Sequence, residues 1–265
     1  MTDQLLNIKK ERDLSLDLMK GIGIIAMIIG HLTGFGRQFI FSFHMPLFFI
    51  IAGFLFRPQN LASATKKDFH RLIIPYFITA IALLIFYIAA YLIKNDLDIS
   101  RWFYAPLWGS GAVHNAPIMG DFYSIGAVWF LWALFWCRFI FQIFSNIIKN
   151  LILLGAVCLS ISLTSILIDN YIISLPLSFL PGSAAIIFYY AGYVIQKLGG
   201  FNEIKWYYAL CLVLLWIVST FLPNTPLALV ICSYPYYPLS VLGGIGGTLF
   251  IWLICNRLTQ YRGGG

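Results

Sequence analysis

Residues Leu72–Ile93 read LIIPYFITAIALLIFYIAAYLI, a run of 22 residues without a charged side chain. A helix needs about 20 apolar residues to cross the hydrocarbon core of a bilayer, so this run by itself predicts a membrane span. The whole chain agrees, because 60% of its 265 residues are hydrophobic and only 10% are charged. Soluble domains carry about 25% charged residues. The composition therefore excludes a soluble enzyme, a disordered chain and a coiled coil, and it indicates a polytopic membrane protein.

Seven further apolar runs predict further spans, which makes eight. The eight are Leu18–Phe35, Phe39–Phe56, Leu72–Ile93, Ile125–Phe144, Leu151–Ile168, Leu175–Ile195, Trp206–Leu222 and Leu239–Leu258. None alternates polar and apolar residues as a strand of a membrane barrel does, and a helix satisfies its own backbone in lipid. We therefore predict an all-α transmembrane helix bundle that forms one domain over residues 1–265.

The basic residues predict the orientation of the bundle. The positive-inside rule places the side richer in Lys and Arg in the cytoplasm. The richer side holds thirteen: Lys9, Lys10, Arg12, Arg57, Lys66, Lys67, Arg71, Arg138, Lys149, Lys197, Lys205, Arg257 and Arg262. The other side holds Arg37, Lys94 and Arg101. Both termini, including residues 1–17, are thus predicted to be cytoplasmic, and residues 94–124 form one long outer loop. The net charge of +7 is spread over the loops, so it indicates membrane topology and no nucleic-acid partner.

The first span contains Lys20 and His31, and ionisable residues inside a membrane are functional candidates. The two are eleven residues apart, which is about three turns of an α-helix, so they lie on one face. Asp17 precedes Lys20 by three residues and should lie beside it. We expect one polar stripe to run most of the way through this span.

His44 lies near the outer start of the second span, at about the depth predicted for His31. The two histidines should face one another across the tight turn at Gly34–Gln38. Pro46 has no backbone N–H, and we expect it to bend or open the second helix. A pair of histidines at matched depth favours a functional site, although either ring could serve only as a structural hydrogen-bonding group.

The stretch after the second span, Lys66–Arg71, reads KKDFHR and is expected to be an inner loop. It has two interpretations. The basic side chains could be topology signals that extend to the membrane surface. Alternatively, Lys67, Arg71 and His70 could hold the phosphates of a nucleotide at the start of a helix through charge-assisted hydrogen bonds. The five cysteines have no metal-ligand spacing, and no metal is predicted.

Several short motifs occur together with these residues. They are RDLSLDLMKGI at Arg12–Ile22, IIGHL at Ile28–Leu32, SFHMPLFF at Ser42–Phe49, RLIIPY at Arg71–Tyr76, VWFL at Val128–Leu131 and YAGY at Tyr190–Tyr193. Together they resemble the acyltransferase 3 family of integral membrane acyltransferases, over roughly residues 12–260. Within that family the chain looks most like the fucose 4-O-acetylase and surface-polysaccharide O-acetyltransferase branch. The motifs are specific in the first 80 residues and loose afterwards.

The resemblance implies an acyl-CoA donor, usually acetyl-CoA, that arrives from the cytoplasm, and a hydroxyl of a cell-surface sugar or glycolipid as acceptor. It places the catalytic histidine at His31, which would act as a general base, with His44 orienting it or the acceptor. Lys20, held by Asp17, would bind the inner end of the donor. Asp121 and Trp129, at the outer end, are the candidate acceptor contacts.

The chain departs from the family pattern at three places. The basic residue before glycine in the first span is usually Arg and is here Lys20, which keeps the charge without the bidentate fork. Of the family's Arg-x-x-Arg pair, Arg71 matches the second member, but the first falls on Asp68, which leaves Lys67 or His70 as substitutes. Members usually have ten spans, so the resemblance leads us to expect that the family's last helix pair is missing here.

Two other classes of protein compete with an acyltransferase. A transporter or exporter of a glycolipid or small solute could use the same polar residues as a pathway, although no internal repeat is visible. A non-catalytic membrane subunit is the other class. Transfer of a labelled acetyl group from CoA to membrane glycans would separate the first class from both.

The predicted topology can be checked by labelling. A cysteine introduced at Asn115, in a background without the natural cysteines, should react with a membrane-impermeant thiol reagent added to intact cells. A cysteine at Ser63 should react only after the membrane is opened, because the basic residues hold that side in the cytoplasm. The reverse pattern would contradict the assignment of inner and outer ends.

Overall fold

The computed structural model describes residues 13–32, 36–94, 99–112, 114–116, 120–122, 124–222 and 227–262. Eleven α-helices lie in this part of the chain. They are α1 Leu14–Leu32, α2 Arg37–Phe54, α3 Leu61–Asp68, α4 Ile74–Lys94, α5 Ile99–Trp108, α6 Trp129–Ile147, α7 Leu151–Tyr171, α8 Phe179–Ala184, α9 Ile186–Lys197, α10 Trp206–Phe221 and α11 Leu239–Arg262. The predicted all-α bundle is confirmed.

The number of spans differs from the prediction. Among the described residues, seven helical segments are long and apolar enough to cross a membrane. The remaining predicted span, Trp206–Leu222, corresponds to α10, an apolar helix of 16 residues. Helix α10 ends because Leu222 is extended and is followed in sequence by Pro223, which disfavours a helical residue before it. Lys9, Lys10, Arg12, the end of the first predicted span and most of the turn before α2 lie outside the described residues.

The segment between α2 and α4 is helical, so its prediction as a loop was wrong. Helix α3 begins at Asn60, whose side chain accepts hydrogen bonds from the backbone N–H groups of Ala62 and Ser63, as a good N-cap does. A single π-helical turn, Phe69–Ile73, joins α3 to α4, so residues 61–93 form one continuous helical segment. The basic residues are therefore held on a helix.

Three further predictions need correction. Helix α2 continues through Pro46 as one α-helix, so the proline does not open it. Its ring instead packs against Gly244 of α11. The predicted span Leu175–Ile195 begins only at Phe179 and is divided at Ala185 into α8 and α9. The long outer segment, predicted as a loop, contains α5 and two short antiparallel strands, β1 (His114–Ala116) and β2 (Gly120–Phe122).

Helix α2 lies at the centre of the bundle, in contact with α1, α9 and α11. Leu47, Phe49 and Ile50 have no exposed surface. A Cβ atom added at Gly53 would collide with the carbonyl oxygen of Tyr189 in α9, and one added at Gly192 would collide with the carbonyl oxygen of Ile50. The backbones of α2 and α9 therefore touch, which small residues permit in membrane helices.

The glycine cluster Gly243–Gly247 packs α11 against its neighbours, as its position in an apolar helix predicts. A Cβ atom at Gly246 would collide with the carbonyl oxygen of Leu212 in α10. At Gly247 it would approach Trp216 to 2.9 Å. The close approach brings the Trp216 indole to Ser42 of α2, and its N–H donates to the Ser42 hydroxyl at 2.7 Å.

Hydrogen bonds between distant residues identify the two ends of the bundle. The hydroxyls of Ser15, at the start of α1, and Thr259, near the end of α11, are 3.0 Å apart. The two termini of the described chain thus lie at the same end, as the prediction of cytoplasmic termini requires. At the opposite end, Gln38 at the start of α2 donates to the carbonyl oxygen of Thr220 near the end of α10 at 2.7 Å.

The α2–α9 contact gives a stability prediction. Gly53→Ala should destabilise the protein by about 1–3 kcal/mol, since the added methyl group meets backbone that cannot move aside. Gly21→Ala is the matched control, because a Cβ there has nothing within 4 Å and alanine favours the helix by up to about 1 kcal/mol. Thermal unfolding in detergent measures both, and equal stability of the two variants would contradict the close contact.

Candidate active site

A cavity of about 810 Å³ lies at the end of the bundle opposite the termini. It is bounded by the second half of α1, the first half of α2, the start of α6 and residues 227–230. Its described lining is apolar except for the side chains of His31, His44 and Ser124 and the indole N–H of Trp129. A concave apolar site with a few convergent polar groups is the usual form of a small-molecule site in proteins. The structure therefore brings the two predicted histidines to one cavity.

Lys20 and His31 lie on one face of α1, as their spacing predicts, but they are not joined by a polar stripe. The residues between them on this face are Ile24, Met27 and Ile28, which line the cavity. His31 lies in the last described turn of α1, and Lys20 lies about 16 Å from it at ~1.5 Å of rise per residue. The face is cationic at one end, apolar along its middle and imidazole-bearing at the other end.

His44 is buried, with 4% of its surface exposed, and its Nδ1 lies 3.0 Å from the carbonyl oxygen of Ile40. A carbonyl oxygen can only accept, so Nδ1 carries the proton and donates it. The Nε2 atom of the neutral ring is then left as a hydrogen-bond acceptor. The backbone of α2 thus fixes both the tautomer and the orientation of His44.

Phe41 links the two histidines. Its ring centroid lies 5.1 Å from that of His31 and 5.1 Å from that of His44. The guanidinium carbon of Arg37, one turn earlier on α2, lies 5.1 Å from the same centroid. A Cβ atom at Gly30 would approach the Phe41 ring to 3.0 Å, so the glycine before His31 lets this ring pack closely. Phe41 and Arg37 were not among the predicted site residues. Gly30 in the IIGHL motif was the available signal for a close contact at this position.

Trp129 also lines the cavity, at the start of α6. A Cβ atom at Gly111 would collide with its indole, so the glycine lets the outer segment cover this part of the cavity. Asp121 lies in β2, paired with Asn115 of β1, and its side chain lies outside the described part of the chain. The structure thus brings Trp129 to the cavity that the histidines line.

Hydrogen bonds anchor the outer segment to the bundle. The Tyr76 hydroxyl of α4 donates to the carbonyl oxygen of Pro106 at 2.6 Å. The buried hydroxyl of Ser178 donates to the carbonyl oxygen of Gly109, also at 2.6 Å. These bonds hold the residues before Gly111, and with them the wall of the cavity beside Trp129.

The residues predicted to bind the acyl-CoA donor lie away from this cavity, towards the end of the bundle that contains the termini. Lys20 Nζ is 3.4 Å from Asp17 Oδ1, so the predicted pair forms. Lys67 donates to the side-chain oxygen of Gln59 at 2.8 Å, and His70 Nδ1 lies 2.8 Å from the carbonyl oxygen of Lys66. Arg71 is exposed. These side chains form no shared site with His31 and His44.

The π-helical turn that carries His70 and Arg71 is held by an ion pair. Asp68, the residue before the turn, is 8% exposed and accepts from Arg138 Nε of α6 at 2.8 Å. Arg138 therefore lies inside a helix and pairs with a carboxylate, where the sequence suggested only a topology signal. A π-helical turn inside an α-helix is uncommon and often marks a functional site. Neither feature could be read from the sequence, because both depend on the packing of α3 against α6.

A metal is not indicated by the described residues, among which no group of three or more His, Cys, Asp or Glu side chains is placed to hold one. The chemistry available in the cavity is that of two imidazoles in an apolar surrounding. Imidazole is a common general acid or base in enzymes.

Comparison with protein families matches residues 13–265 to the acyltransferase domain of the acyltransferase 3 family. The chain belongs to this family, and it is a multi-pass membrane acyltransferase. No curated protein and no solved structure matches the chain.

Proposed function

We propose that this protein transfers an acyl group from acyl-CoA to a hydroxyl of a cell-surface sugar or glycolipid. The observation that carries the proposal is the placement of His31, His44 and Trp129 around one cavity in a chain of the acyltransferase family. The resemblance of the N-terminal motifs to the fucose 4-O-acetylase and surface-polysaccharide O-acetyltransferase branch supports the sugar acceptor. It also supports acetyl-CoA as the usual donor of that branch.

In the proposed reaction His31 acts as the general base. Its imidazole takes the proton of the acceptor hydroxyl while the hydroxyl oxygen attacks the carbonyl carbon of the thioester. An ester bond forms, the carbon–sulfur bond breaks, and the thiolate of CoA leaves and takes up a proton. Because a thiolate leaves readily, the protein's tasks are to remove the proton and to position the two reactants.

His44 is proposed to position the acceptor. Its Nδ1–H is occupied by the carbonyl oxygen of Ile40, so only Nε2 is directed to other partners, and there it can accept a hydrogen bond. Trp129 would provide an amphipathic surface for the acceptor at the same cavity. Asp121, on the hairpin of the outer segment, is a further proposed acceptor contact.

The CoA portion of the donor is proposed to bind at the basic end. Arg71, on the exposed π-helical turn, and the neighbouring Lys67 and His70 can make charge-assisted hydrogen bonds to phosphate. Lys20 lies nearer the cavity on the face of α1 that ends at His31, and it would attract the inner end of the donor. This arrangement requires the basic end to face the cytoplasm, with the cavity at the outer side of the cell (inner) membrane.

The catalytic role of His31 can be tested directly. His31→Ala should lower the rate of acyl transfer to membrane glycans by about 100-fold or more, the usual contribution of a general base. His31→Gln should lose as much, because an amide keeps a polar side chain but cannot take a proton. His44→Ala should lose less, since a positioning group leaves the base in place. Full transfer by His31→Ala, at equal amounts of inserted protein, would make His31 a packing residue.

The donor site can be tested through Michaelis constants. Arg71→Ala should raise the KM for acyl-CoA by about tenfold, the effect of losing a hydrogen bond to a charged group, and leave the KM for the acceptor unchanged. Arg57→Ala removes an equally exposed charge just after α2 and serves as the control. If the two variants have equal KM values for acyl-CoA, the basic residues are topology signals only.

A further inference from the structure

The part of the cavity that extends from the histidines towards the basic end has an unusual composition. Ile24 lies about 10 Å below His31 along α1, and Phe48 lies about 6 Å below His44 along α2, at ~1.5 Å per residue. Phe130 of α6 completes this part, with its ring centroid 5.7 Å from that of Phe48. Met27 and Met45 line the same cavity. We name these five residues the inner wall.

The inner wall provides no side-chain hydrogen-bond donor or acceptor. A hydroxyl or amide moved from water into such a surrounding without a partner costs free energy, and the helical backbone behind it is already paired. A sugar ring would find no hydrogen-bonding partners there. A chain of methylene groups loses nothing in the same place and gains by leaving water.

The opposite part of the cavity differs. There the lining includes two polar side chains, Ser124 and Trp129, beside Gly111, Gly126 and the apolar residues 227–230. These two polar side chains suit the acceptor that the proposed function assigns to the outer side. The two reactants meet at the histidines, with the acceptor on the outer side. The acyl chain of the donor, on the other side of the reacting carbon, is then the group that faces the inner wall.

We propose that the inner wall binds the aliphatic chain of the transferred acyl group, and that this chain is longer than acetyl. The proposal rests on the proposed function and specifies its donor. An acetyl group contributes only one methyl group beyond the reacting carbon. The cavity, of which the inner wall bounds only one part, measures about 810 Å³ in all, and Met27 and Met45 are side chains that adapt to flexible apolar partners.

The test compares acyl chains on one acceptor. Membranes that contain the full-length protein are supplied with labelled acetyl-, butyryl- or octanoyl-CoA. The incorporation of the labelled acyl group into membrane glycans is then measured. Octanoyl-CoA should be used at least about tenfold more efficiently than acetyl-CoA, since each methylene in a fitting apolar pocket favours binding. Because the acceptor is the same, the ratio between donors reports only on the acyl chain.

A matched pair of variants tests where the acyl chain lies. Ile28→Trp narrows the cavity beside the inner wall, whereas Ile25→Trp places the same ring on α1 away from it; the two isoleucines are 46% and 59% exposed. Ile28→Trp should lower octanoyl transfer about tenfold more than it lowers acetyl transfer. Ile25→Trp should change neither.

The outcomes separate the two proposals. Wild-type transfer that is fastest with acetyl-CoA, or an Ile28→Trp variant that loses all donors equally, overturns the acyl-chain proposal and leaves the proposed function standing. Equal loss is the result expected if the CoA arm, and not the acyl chain, lies along the inner wall. No transfer from any of the three donors overturns the proposed function and this inference together.

Discussion

The close approach of membrane helices is the constraint on which this structure depends. In hydrocarbon there is little hydrophobic force between apolar helices, so they associate through packing and hydrogen bonds, and small residues allow the closest contact. Gly53 and Gly192 let α2 and α9 touch through their backbones, and Gly246 does the same for α11 and α10. Helix α2 is thereby fixed among its neighbours. Because His44 donates to the backbone of α2 itself, fixing this helix also fixes the direction in which its imidazole can accept a hydrogen bond.

The arrangement of the cavity follows from where polar side chains can be kept in an apolar bundle. The charge of Lys20 is held by Asp17 one turn away, and Asp68 is held by Arg138 across two helices. Removing one partner of such a pair would leave a charge uncompensated. The histidines need no such partner when they are neutral, so they can stand in an apolar cavity. Aromatic contacts through Phe41 hold the two rings near each other without adding a charge to the cavity.

Much of the bundle could be predicted from the sequence alone. The apolar runs are long enough to cross a bilayer, and the physical requirement for paired backbone groups in lipid makes them helices. The common face of Lys20 and His31 followed from helical periodicity, and the matched depth of His31 and His44 from the short connection between the spans. The catalytic role of His31 rests on the resemblance of the N-terminal motifs and stays a prediction. These features depend on residues close together in the chain, whose spacing is written in the sequence.

The tertiary structure decided what depends on contacts between distant residues. The helical state of Lys66–Arg71 follows from the Asn60 cap and from the pairing of Asp68 with Arg138, 70 positions apart. The extended Leu222 ends α10 after 16 residues, so this apolar run forms a shorter helix than the others. The apolar residues of α1 between Lys20 and His31 could be read from the sequence. The residues that face them, Met45, Phe48 and Phe130, come from two other helices, α2 and α6. Helical periodicity specifies which face of α1 a residue occupies, whereas only the packing of α2 and α6 against that face makes it the lining of a cavity.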